Sequence, residues 1–98
     1  MNLLREIEKF LRRSQILLSE IQSVDWRSLT FDGERHLLRL RVRGPDAERM
    51  VGRFTNGIED AEFSIPGHIV ADIALAGAPA RALDGSIMLE IEALTVAD

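Results

Sequence analysis

His36 and His68 are the only imidazoles in the chain, and His68 can share a strand face with an acidic residue. Asp72 lies four residues further on, which two-residue alternation puts on the same strand face. Across the Pro66-Gly67 break, Glu62 and Ser64 come within reach. An imidazole beside a carboxylate is the minimum for a general base or a weak metal site. The same pair also arises by chance on solvated strands. The chain has no His-x-x-x-His, no His-Glu-x-x-His, no Gly-x-Ser-x-Gly and no phosphate-binding glycine loop. We therefore expect no enzyme, no metal and no cofactor, and His68 with Asp72 are the only catalytic candidates.

The second feature with chemical content is a row of cations. From Leu38 to Arg43 the residues alternate strictly, so Leu38, Leu40 and Val42 share one face and Arg39, Arg41 and Arg43 the other. Cations two residues apart on a strand stand about 6.6 Å from one another, near the phosphate repeat of a nucleic acid. Sheet surfaces that bind nucleic acid carry aromatics on the same face to stack bases, whereas here the interleaved residues are aliphatic and face the other way. An opposite pattern recurs in Ile87 to Glu92, with Glu90 and Glu92 on the polar side. The expected partners of the arginines are these carboxylates, together with Glu62 or Asp72, in cross-strand pairs that contribute a few tenths to about 1 kcal/mol each. Nucleic-acid binding is not expected; Arg39, Arg41 and Arg43, with Trp26, remain the ligand-binding candidates.

These residues need elements to hold them. Leu4, Ile7, Leu11, Leu18 and Ile21 step by three and four, with Leu3, Phe10, Leu17 and Val24 widening the stripe. The spacing predicts one long amphipathic helix over Leu3 to Gln22, able to cross a small sheet. Val24 to Phe31 reads as a strand, with Asp32-Gly33 as the turn of a hairpin into His36 to Arg43. Gly44-Pro45-Asp46 stops that strand and opens a short second helix with Ala47, Met50, Val51, Phe54 and Ile58 on its apolar side and Asn56-Gly57 as its stop. Glu59 to Ile65, His68 to Ala76 and Ser86 to Val96 read as strands of an antiparallel meander. The long connection between the last two is expected to hold a helical turn at Pro79 to Leu83.

The resulting fold class is α+β: a long N-terminal helix packed on a mainly antiparallel sheet of four to five strands, with a second short helix between strands. A chain of 98 residues, 46% of them apolar, makes one domain over residues 1–98. The charged residues scattered through the first 22 positions argue against a signal peptide or membrane span, and the absence of cysteine fits a reducing compartment. The expected location is the cytoplasm.

The net charge of −4 conceals a division, +3 over residues 1–43 and −7 over residues 44–98, as expected of halves that interleave in one sheet. The last strand is apolar on both faces in part, through Met88, Leu94 and Val96, and a single helix covers only one face of a sheet. Together these features lead us to expect a small soluble domain that acts without catalysis in binding or assembly, as a homodimer or with another protein partner. The alternative is a small-molecule or enzymatic pocket between sheet and helices, centred on His68.

Overall fold

Long strands dominate the chain. In the computed structural model, which describes residues 3–10, 16–58, 63 and 65–97, the order is α1 (Leu3–Phe10), β1 (Ile16–Arg27), β2 (Asp32–Val42), α2 (Ala47–Gly57), β3 (His68–Leu75), β4 (Ala80–Arg81) and β5 (Ile87–Ala97). All pairings are antiparallel, in the order β1-β2-β5-β3, and β4 joins β5 beside its N-terminal end. With the isolated bridge at Ile65, the described sheet has six extended segments, more than the four to five expected.

The long N-terminal helix is not formed. α1 is a helix of 8 residues, and Ile16 onward is strand. Apolar residues three and four apart fit a helix, but Ser19, Ile21 and Ser23 also alternate, and each finds a partner along β2: Leu40, Leu38 and His36. A continuous ladder satisfies every backbone group on its paired side, and that outweighs a weak helical preference. α1 is too short to persist alone in water. It is held because Leu3 and Ile7, one turn apart, are fully buried in the core.

The β1–β2 turn also falls earlier than expected. Arg27 pairs with Asp32, so the turn is Ser28 to Phe31, where the Ser28 hydroxyl accepts the Phe31 N–H at 3.0 Å and the Thr30 N–H at 3.3 Å. Asp32 and Gly33 belong to β2. Gly33 is required there for a different reason: a Cβ on it would collide with the carbonyl oxygen of Thr95 on β5.

α2 forms where its apolar spacing places it, burying Ala47, Val51 and Phe54, with Arg49 paired to Asp46 at 3.0 Å in its first turn. Residues 59–62 and 64, which include most of the predicted Glu59 to Ile65 strand, lie outside the described residues. The helical turn expected at Pro79 to Leu83 is replaced by β4 and a tight turn, in which Gly85 takes a φ of 85° and its N–H donates to Ala82 at 3.0 Å. Arg81 of β4 pairs with Glu48 of α2.

The sheet thus has one covered face. Leu38, Leu40 and Val42 of β2, Ile87, Leu89 and Ile91 of β5 and Ile73 of β3 cluster with Leu3 and Ile7 of α1 and with Val51 and Phe54 of α2. Each such side chain contributes about 1.5–3 kcal/mol when fully buried. Both described helices lie on this inner face, and no described helix is long and apolar enough to cross a membrane.

Candidate functional site

The outer face is organised in transverse rows fixed by the register. At the hairpin end, Trp26, Gly33, Val96 and Ile69 form one row across β1, β2, β5 and β3. The next holds Val24, Arg35, Leu94 and Asp72, and the one after it Gln22, Leu37, Glu92 and Ala74. Then come Glu20, Arg39 and Glu90. A groove of about 410 Å³ lies between Val24 and Asp72, with Leu37 and Leu94 on its floor. Val24 is 63% exposed and Ile69 50%, while Trp26, Leu37, Leu94 and Val96 are half-buried.

The arginine row and the glutamate strand are neighbours, as their complementary charge predicts. Arg39 stands opposite Glu90 and lies between two carboxylates, with Nη1 3.5 Å from Glu20 Oε1 and Nε 3.8 Å from Glu90 Oε1. That Nε is shielded from water yet makes no hydrogen bond with the described residues. Arg41 is held differently: its Nε donates to Ser86 Oγ at 2.7 Å and its Nη2 to Asp84 Oδ2 at 2.8 Å. Asp84 also accepts the Ser86 hydroxyl at 2.6 Å and the Ser86 N–H at 2.9 Å. These Ser86 hydrogen bonds, with a further contribution from Arg41, hold its carboxyl down at about 2. Arg43 follows the end of β2. Glu92 lies opposite Leu37 and Ala74 rather than an arginine.

His68 and Asp72 are not brought together. The register slips by one residue between Val70 and Asp72, the signature of a β-bulge at Ala71. His68, opposite Ala97, stays on the inner-face side, while Asp72, opposite Leu94, points outward. The alternation that pairs the two residues holds only for a strand without a bulge. Glu62 and Ser64, their other expected companions, lie outside the described residues. Among the described residues no group of three or more His, Asp or Glu is placed to hold a metal ion.

His36 is the imidazole that is built into the fold. It is 3% exposed, with Nδ1 2.6 Å from Ser23 Oγ and Nε2 2.8 Å from Thr95 Oγ1, so a hydroxyl–imidazole–hydroxyl rung crosses β1, β2 and β5. Whichever nitrogen carries the proton, the other can accept one from a hydroxyl. Burial lowers its pKa below 6.5, opposed by Glu34 and reinforced by His68. The signal for this position was present in the sequence, since His36 is in phase with Leu38, Leu40 and Val42 on the inner face. No protein-family model matches the chain, and no curated protein matches it in sequence.

Proposed function

We propose that this chain is a non-catalytic assembly module of the cytoplasm that works as a homodimer, its two copies meeting through the outer sheet face. One observation carries the reading: both described helices cover the same side of the sheet, leaving Val24, Trp26, Leu37, Leu94, Val96 and Ile69 on the other. An uncovered apolar patch, here interspersed with Arg35 and Glu92, is a mark of an interaction surface. The separation of His68 from Asp72 and the enclosure of His36 by two hydroxyls favour a structural use of both imidazoles. Native mass spectrometry of the purified protein tests the proposal. A dimer that becomes a folded monomer on Leu94→Arg supports it, and a wild-type chain that is monomeric at every concentration overturns it.

A second reading has its own observation. A depression of about 210 Å³ at the hairpin end is lined by His68 with Asp25 and Glu34, all strand residues, which supports a ligand site at His68 on the sheet itself rather than between sheet and helices. The same spectra distinguish it, because a small molecule retained by the wild type and lost from His68→Ala would favour a ligand site.

A further inference from the structure

We infer that, in the dimer proposed above, the two outer faces stack with a two-fold axis running along the strands between β2 and β5, so that Arg39 of each copy lies over Glu90 of the other. The inference rests on the homodimer reading and names its geometry. A two-fold relation matches each surface to itself, which limits where charges can sit. An axis running across the strands through a charged row opposes that row to its own copy: Arg39 to Arg39, Glu90 to Glu90 and Glu20 to Glu20, or, one pair of rows away, Arg35 to Arg35. Like charges placed directly opposite each other in an interface are strongly unfavourable.

An axis along the strands instead exchanges β2 with β5 and β1 with β3. Arg39 then faces Glu90, Arg35 faces Leu94 with Asp72 adjacent, and Trp26 faces Ile69. No like charges in these rows are opposed. Packed sheets stand about 10 Å apart, a gap that an arginine and a glutamate can bridge. Arg39 Nε is shielded from water and has no hydrogen-bond acceptor among the described residues, so a second carboxylate at this place would complete it.

The footprint is sufficient. Strands about 4.8 Å apart and about 11 residues long give the sheet a face of roughly 700 Å², close to the roughly 800 Å² per partner of a standard interface.

Charge-swapped chains test whether this row lies between the copies. Arg39→Glu and Glu90→Arg each break the pair within a chain, and each loses dimerisation by at least about tenfold in Kd. Mixed in equal amounts they form a heterodimer, because every contact between copies is again between opposite charges while the pair within each chain stays broken. Circular dichroism checks that both variants are folded. A second measurement uses the cysteine-free wild-type background: Val24→Cys and Asp72→Cys, mixed, are joined by a short bismaleimide, and neither joins to itself. A dimeric wild type whose mixed cysteine variants do not cross-link, or whose charge-swapped variants do not associate, overturns this stacking and leaves the homodimer standing; a monomeric wild type overturns both.

Discussion

The imidazole Nε2 of His36 lies 2.8 Å from the hydroxyl oxygen of Thr95, tying β2 to β5 on the buried face of the sheet. The two residues are 59 positions apart in the chain. Thr95 is fully buried, so its replacement by valine keeps the shape and leaves a buried nitrogen without its partner. Thr95→Val is expected to lower stability by about 1–3 kcal/mol, and Ser23→Ala, at the exposed end of the rung, by no more than about 1 kcal/mol. Urea unfolding of the two variants measures the order; an equal loss would contradict it.

Stability should depend on pH through the same group. Burial holds the folded His36 neutral below its ordinary value of 6.5, so the unfolded chain binds a proton more readily. Stability is therefore complete above 6.5, falls as pH drops from 6.5 toward the lowered folded value, and levels off beneath it. Thermal unfolding between about pH 5 and 7.5 records this slope, and His36→Gln is expected to flatten it.

Two glycines should respond in opposite ways to alanine. At Gly33 a Cβ meets the backbone of Thr95, and Gly33→Ala forces β2 from β5 at a cost of about 1–3 kcal/mol. At Gly52, within α2, no atom lies near the added carbon, and Gly52→Ala is expected to stabilise the protein by about 0.5–1 kcal/mol through helix propensity and a less flexible unfolded chain. Thermal melts of the pair measure both signs.

The arginine row should matter little to the fold of a single copy. Arg39 is 42% exposed between partners that are about half exposed, so its pairs are screened, and Arg39→Ala is expected to cost less than about 1 kcal/mol in urea unfolding of the monomeric form. Asp84 responds at more acid pH: with its carboxyl held at about 2 against the ordinary 3.8, its contribution is present above 3.8 and is lost as pH falls through 2. Asp84→Asn should remove that acid transition from a pH titration of the melt.

β2, α2 and β5 were legible in the sequence because each carries an unambiguous period, two residues for Leu38 to Val42 and three to four for Ala47 to Ile58. β1 was not, since Leu17, Leu18, Ile21 and Val24 satisfy a helical stripe while Ser19, Ile21 and Ser23 satisfy a strand, and only the pairing with β2 decides between them. The Asp32-Gly33 turn failed for a related reason. Glycine there relieves a collision with Thr95, a contact between distant parts of the chain that no local pattern contains. The Arg39–Glu90 pairing was legible as complementary charge. The His68–Asp72 pair failed at a single-residue bulge, which turns every later side chain of β3 to the opposite face.

Mass in solution reads the association of two copies most directly. Sedimentation equilibrium of the wild-type chain, of 11.0 kDa, is expected to give a mass rising toward twice that value as concentration increases from about 1 to 100 µM, the affinity range of a modest interface. A single species of 11.0 kDa throughout that range would contradict the proposal that two copies close over the outer face of the sheet.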